Sequence, residues 1–241
     1  SIGCAKAILS TILKRFCSME ELRLFLYPLG YLATLLFGAR FTLQWLQSEL
    51  KGESYSSKLF WHLSLTGNCL LALHCLVQVQ YPICCVQVAN GWIAWTNLQL
   101  LERGPSSHPI HKFTTFSVLL GLVTFLFFIQ GHLFPQAENW LRIPQTPWQH
   151  GSSFSLHWGW HVLGIAGYLL FSLRFWVQWW RAEKEAKSTL SLDFWWFSLV
   201  GALLSCAYFW KMGDSVNLIG PLVGLPAYIR NIQLLKKRAY S

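Results

Sequence analysis

With 241 residues, 54% of them hydrophobic and only 12% charged, the chain is too poor in charge for an ordinary soluble domain, where roughly 25% of residues are charged. Lipid is therefore its expected solvent. The formal net charge of +9 does not indicate nucleic acid, because the cations sit in short loops between apolar runs rather than in one soluble patch. Cys69, Cys75, Cys84, Cys85 and Cys206 lie within apolar stretches and no C-x-x-C pair occurs. Neither a disulfide framework nor a zinc site is signalled, and these cysteines read as small apolar residues.

In chain order, residues 1–23 come first. Ile8, Leu9, Ile12, Leu13 and Phe16 are broken by Lys6, Lys14 and Arg15, a pattern expected of an interfacial amphipathic segment. A start at Ser1 rather than Met is expected of a fragment or a processed product. A membrane span needs about 20 mostly apolar residues, and seven stretches qualify: 24–46, 59–79, 82–101, 113–134, 158–180, 194–211 and 215–235. Pro82 falls near the start of the third, where a helix tolerates it. Pro221 and Pro226 are expected to kink the seventh. Lys and Arg number ten on the side of the C-terminus and six on the side of the N-terminus, so the basic tail 236–241 is expected in the cytosol and the N-terminus outside.

Shifting the sequence by 134 residues aligns it with itself. Arg40-Phe41-x-x-Gln44-Trp45 falls on Arg174-Phe175-x-x-Gln178-Trp179, and Phe60-Trp61-x-x-Ser64-Leu65-x-Gly67 on Phe194-Trp195-x-x-Ser198-Leu199-x-Gly201. Asn97-x-Gln99-Leu100-Leu101 falls on Asn231-x-Gln233-Leu234-Leu235. About 21 of roughly 72 aligned positions are identical, well beyond chance for this composition. The units are a three-helix repeat at 24–101, a linker at 102–157 containing the fourth span, and a second three-helix repeat at 158–235. An odd number of spans per repeat would invert the second copy, and the extra span restores parallel orientation. The expected fold is an all-α integral membrane protein with seven transmembrane helices in a 3+1+3 parallel-repeat arrangement.

An arginine within a span is costly unless it faces protein, water or phosphate. Arg40 and Arg174 either snorkel to the headgroups or contact the phosphate of a lipid or substrate. Gln44 and Gln178, one turn on, either orient the arginines or pack between helices, with Trp45 and Trp179 beside them. Asn97 and Asn231, with Arg230, either bond between helices or line a polar cavity. His157 and His161 stand at metal-binding spacing but lack a third ligand, so no metal or other cofactor is expected. Asp193 reads as an N-cap. No nucleophile–base constellation or nucleotide motif is present, so nothing argues for catalysis by these residues alone.

The set R-F-x-x-Q-W, F-W-x-x-S-L-x-G and N-x-Q-L resembles the lipid A biosynthesis N-terminal domain family, a three-span module matched here over 24–101 and again over 158–235. The tandem arrangement is similar to the membrane part of chlamydial-type lipid-A-disaccharide synthases. In those a soluble glycosyltransferase domain follows and joins UDP-diacylglucosamine to 2,3-diacylglucosamine 1-phosphate. The resemblance implies a bacterial inner-membrane module of lipopolysaccharide synthesis whose partners are membrane lipid, an acylated glucosamine phosphate and a glycosyltransferase domain. The 3+1+3 plan is also similar to SWEET sugar transporters and other PQ-loop proteins, which implies a small-solute or lipid-precursor carrier using Trp45, Trp179, Asn97 and Asn231. The Pro-Gln pair of that family is missing from the first span of either repeat.

Overall fold

The computed structural model describes residues 19–52, 54–104, 109–133 and 157–239. The expected amphipathic segment lies mostly outside these, as do most of the loop after the fourth expected span and the last two residues. All eight described elements are helices: α1 (Met19–Leu26), α2 (Pro28–Lys51), α3 (Lys58–Val77), α4 (Tyr81–Arg103), α5 (Pro109–Leu133), α6 (Trp158–Glu185), α7 (Leu192–Met212) and α8 (Ser215–Ala239).

Local chemistry sets the boundaries. Pro28 opens α2 with φ already helical. Gly52, at φ 64°, closes it in a left-handed cap whose N–H donates to the Glu49 carbonyl, a conformation glycine adopts without strain. Ser57 caps α3 by accepting from the Phe60 N–H. Asp214 caps α8, its carboxylate accepting from the Asn217 N–H at 3.1 Å. The α7 start corrects the sequence expectation: Ser191 holds the N-cap position, and Asp193 sits in the first turn and pairs with Arg181. Pro221 and Pro226 both lie inside α8, which continues through them.

Among the described residues, six segments are long and apolar enough to cross a membrane: Glu21–Lys51, Lys58–Val77, Lys112–Gly131, Trp158–Glu185, Leu192–Met212 and Ser215–Lys237. The remaining expected span, 82–101, is a helix of 23 residues but more polar. Its surroundings give the reason. Fourteen of its residues are buried, including Gln87, Asn90, Thr96 and Asn97, because α3, α5 and α6 pack around it. A helix that faces protein need not be apolar on every side.

The six repeat helices form a closed ring in which α2 touches α3, α3 touches α4, α4 touches α6, α6 touches α7, α7 touches α8 and α8 returns to α2. Exchanging the repeats maps the α2·α8 seam onto the α6·α4 seam, so the ring has approximate twofold symmetry. Helix α5 stands outside it against α4, with only 6% of its apolar window buried. One end of the ring carries Lys51, Lys58, Lys184, Lys187 and Lys236 and is called the basic end below; the other, the turn end, carries the tight α3–α4 and α7–α8 connections.

Two aromatic cores fill the ring. Phe41, Phe60, Trp61, Phe175, Phe194, Trp195 and Tyr228 gather toward the basic end. Tyr27, Phe37, Tyr81, Tyr208 and Phe209 gather toward the turn end. Between α6 and α7 the backbones approach closely, as small residues allow in lipid, where packing rather than hydrophobicity joins helices. A Cβ added to Gly201 would lie 2.6 Å from the Phe171 backbone nitrogen. Backbone cannot rotate away, so Gly201→Ala should cost about 1–3 kcal/mol. Gly121, with nothing within 4 Å of an added Cβ, should accept alanine without loss. Thermal unfolding of the two variants in detergent checks the contrast.

Candidate anion site between the two repeats

The repeated R-F-x-x-Q-W run sorts its side chains by helical periodicity. Positions four apart share a face, so Arg40 and Gln44 turn inward, as do Arg174 and Gln178; all four are buried. Trp45 falls on the neighbouring face and is 39% exposed, its indole N–H donating to Glu49 at 3.0 Å. Trp179 is half-buried and meets Trp92 in a tilted ring contact, centroids 5.2 Å apart.

The two glutamines close the seams between the repeats. Gln44 donates to Asn231 at 2.9 Å and accepts from it at 3.1 Å. Gln178 donates to Asn97 at 2.7 Å and accepts from it at 3.0 Å. Each is a reciprocal amide clasp, and the twofold relates one to the other. A second symmetric pair lies nearby: the Trp61 indole donates to Ser188 at 3.2 Å and the Trp195 indole to Ser54 at 3.0 Å. Each bond ties a tryptophan of one repeat to the extended segment of the other. Further out, Glu49 pairs with Arg230 of α8, with Nη2 to Oε2 at 2.9 Å, and Glu183 pairs with Lys112 of α5. Arg230, Asn97 and Asn231 thus hold the ring together and do not line its interior cavity.

Arg40 and Arg174 do. Both border a central cavity of about 40 Å³, together with Asn68, Gln87, Asn90 and Tyr168. Neither guanidinium reaches a helix end. Arg40 lies eleven residues before the end of α2 and Arg174 eleven before the end of α6, about 16 Å along the axis. Snorkelling to the headgroups, the alternative open from sequence, does not occur. Arg40 donates to Ser64 Oγ at 3.0 Å. Arg174 is wholly buried, and no acceptor meets its three guanidinium nitrogens at full hydrogen-bond geometry, the buried Tyr228 hydroxyl being its polar neighbour. Aromatic faces surround both. The Arg174 Cζ lies 3.5 Å from the Phe171 ring centroid and 4.6 Å from that of Phe175, and Arg40 lies 4.6 Å from both Phe37 and Phe41. No Asp or Glu lines the cavity. Two desolvated cations without a carboxylate make a site complementary to an oxyanion, which can take several guanidinium N–H donors at once.

At the turn end the cavity is closed by a polar cluster. The buried Asp214 carboxylate accepts from Gln80 at 2.8 Å and from the Asn217 side chain at 2.8 Å. The carboxylate is thus held by amides and does not face the arginines as a counter-ion. His157 caps α6 by accepting from the Gly159 N–H, while His161 meets the Tyr208 hydroxyl at 3.0 Å. The two histidines therefore serve different local contacts.

Sequence reasoning missed Asn68, Gln87 and Asn90. Their counterparts at the 134-residue shift are Ala202, Pro221 and Gly224, so a search by repetition passes over them; amides inside an otherwise apolar run were the available signal.

Breaking a clasp leaves a buried amide only partly paired, Asn97 keeping the Ile93 carbonyl and Gln178 the Ser188 hydroxyl, which costs about 1–3 kcal/mol. Gln178→Ala and Asn97→Ala should each destabilise by that amount, and the double variant should fall well short of the sum. The same cycle at Gln44 and Asn231 should return a similar coupling. Thermal unfolding of the four-member sets measures it.

A family model described as Lipid A Biosynthesis N-terminal domain matches residues 29–99 and again 163–233, the same 134-residue offset as the internal repeat. Lipid-A-disaccharide synthase of Chlamydia muridarum (strain MoPn / Nigg) is 33% identical over 220 residues, covering 91% of this chain and 36% of that protein. The Chlamydia caviae protein of the same name is 34% identical over 222 residues, covering 89% and 34% respectively. The chain therefore spans about a third of the length of the curated relatives it matches. No solved structure matches. On the strength of the double match, the chain belongs to the Lipid A Biosynthesis N-terminal domain family, carrying that domain twice.

Proposed function

We propose that the chain is a membrane module of lipid A biosynthesis that holds an acylated glucosamine phosphate by its phosphate, between Arg40 and Arg174, and presents it to a glycosyltransferase domain. The carrying observation is the pair of buried arginines bordering one cavity with no carboxylate among its lining residues. Family membership supplies the chemical class: the relatives bear the name of an enzyme that makes a lipid-linked disaccharide, and its substrates carry phosphate. In this reading the protein sits in a bacterial inner membrane. The lysine and arginine count supports a cytosolic basic end, with α4 taken as a seventh span shielded by its neighbours. The glycosyltransferase partner would act at that basic end.

Binding of diacylglucosamine 1-phosphate to the purified chain tests the reading. A guanidinium–phosphate contact is worth about 1.5–3 kcal/mol, so Arg40→Gln with Arg174→Gln should weaken binding by at least about tenfold. Because uncompensated buried charge opposes folding, the same double variant should melt no lower than the parent. Unchanged affinity would remove the phosphate role.

A second reading is favoured by the closed, twofold ring with its enclosed polar cavity. That architecture suits a carrier for a small solute or lipid precursor, with the site at the repeat interface. It predicts counterflow in proteoliposomes, lost when Asn97→Ala and Asn231→Ala open both clasps; absence of flux across a broad solute panel would exclude it.

A further inference from the structure

Building on the phosphate reading, we infer that the groove between α3, α4 and α5 receives an acyl chain of the lipid whose phosphate sits between Arg40 and Arg174, so that the lipid enters the ring sideways from the bilayer. The groove measures about 320 Å³, within the range of ligand pockets. Its walls are apolar: Cys69 of α3, Gly91 and Trp92 of α4, and Leu119 of α5. Cys69 is exposed, so the groove opens on the outer face of the ring.

Three observations carry the inference. The first is continuity. Asn68 and Gln87 border both the groove and the arginine-lined cavity, so the two spaces adjoin at these amide side chains. The second is capacity. At about 40 Å³ the central cavity has no room for a hydrocarbon chain, and withdrawing a chain from hydrocarbon into water is unfavourable. A phosphate-bearing amphiphile held at the arginines must therefore keep its tail in an apolar channel.

The third is the asymmetry of an otherwise symmetric ring. At the 134-residue shift, Cys69 becomes Leu203 and Gly91 becomes Leu225. Leucines stand in the second repeat at these two positions, and α5 packs chiefly on α4 of the first repeat, meeting the second through the contacts of Lys112 with Glu183 and of Phe116 with Trp176. A second apolar depression, between α4, α6 and α7, meets the cavity only at Tyr168, whose hydroxyl accepts from Gln87 at 2.6 Å. The more open connection is on the α3–α4 side.

The test uses the full chain in nanodiscs and two probes: glucosamine 1-phosphate, which is soluble, and its monoacylated form bearing a diazirine in the chain. Photolabel should fall on Cys69 and on the α4 segment around Gly91. Cys69→Leu with Gly91→Leu, which copies the second repeat, should reduce that label by at least about fivefold while leaving soluble headgroup affinity within about twofold. Gly91→Ala should keep the label, since an added Cβ meets its nearest neighbour at an ordinary 3.5 Å. Label that persists on the α3 and α4 segments around positions 69 and 91 when the groove is filled, or that spreads evenly over the exposed face of α5, would overturn the groove. Failure of the arginine reading registers separately, as headgroup affinity unchanged by Arg40→Gln with Arg174→Gln.

Discussion

Polar groups buried among apolar helices must find their partners inside the protein, and the structure is organised by how the two repeats meet that demand. Each repeat supplies a glutamine from its first helix and an asparagine from its third. The glutamine bonds to the other repeat's asparagine, never to its own: Gln44 to Asn231 and Gln178 to Asn97. Each amide keeps one bond inside its own repeat, Gln44 to Ser48, Asn97 to the Ile93 carbonyl, Gln178 to Ser188 and Asn231 to the Ala227 carbonyl. It completes its bonding only when the repeats associate, so the same four residues join the halves, fix their register and set the twofold. Trp61 and Trp195 repeat the scheme with Ser188 and Ser54. A shifted ring would strip four amides of their cross-repeat bonds and leave two indoles without their serine partners where water is scarce, a penalty large against the few kcal/mol by which proteins are stable.

Closure of the ring makes the arginine pair possible. Exposed to lipid, either guanidinium would be prohibitively unfavourable or would be drawn toward a headgroup. Enclosed, each rests on aromatic faces, and a desolvated cation–π contact is worth about 2 kcal/mol. That is less than the several kcal/mol it takes to bury an ion, so the aromatic floor lowers the penalty without cancelling it. A carboxylate in the cavity would have neutralised the pair and left it little preference for an external anion. The one buried carboxylate among the described residues, Asp214, is occupied by Gln80 and Asn217. The arrangement keeps positive charge available and keeps the negative charge engaged elsewhere.

Divergence between the copies shows which features each repeat needed to keep. Tyr27 faces His74 in one repeat while His161 faces Tyr208 in the other, so the same aromatic contact persists with its members exchanged. Glu49 and Glu183 both meet a cation, but Arg230 supplies it on one side and Lys112 of α5 on the other. The wall of the α3–α4 groove is not kept between the copies: Cys69 and Gly91 fall on leucines, while Trp92 falls on Pro226. Pairing is preserved where it holds the ring closed, and symmetry is lost where the ring faces α5.

Much of this was legible beforehand. Apolar runs of span length located every helix of the ring, because in lipid the backbone has no alternative to internal hydrogen bonding. Repetition at 134 residues located the two units and singled out Arg40, Gln44, Asn97 and their partners, because both copies must satisfy the same buried groups. What those residues touch was not legible. The clasps join positions 81 and 187 residues apart, and no spacing rule reaches that far. Trp45 and Arg230 share motifs with inward-facing residues yet lie on outer faces, since a helix rotates about 100° per residue and only packing decides which face turns in. Asn68, Gln87 and Asn90 break the repeat, and α4 is polar because its neighbours cover it. The sequence by itself determined the helices, their duplication and the presence of intramembrane charge; closure of the ring decided that two arginines from distant segments share one cavity, because only then does burial bring them together.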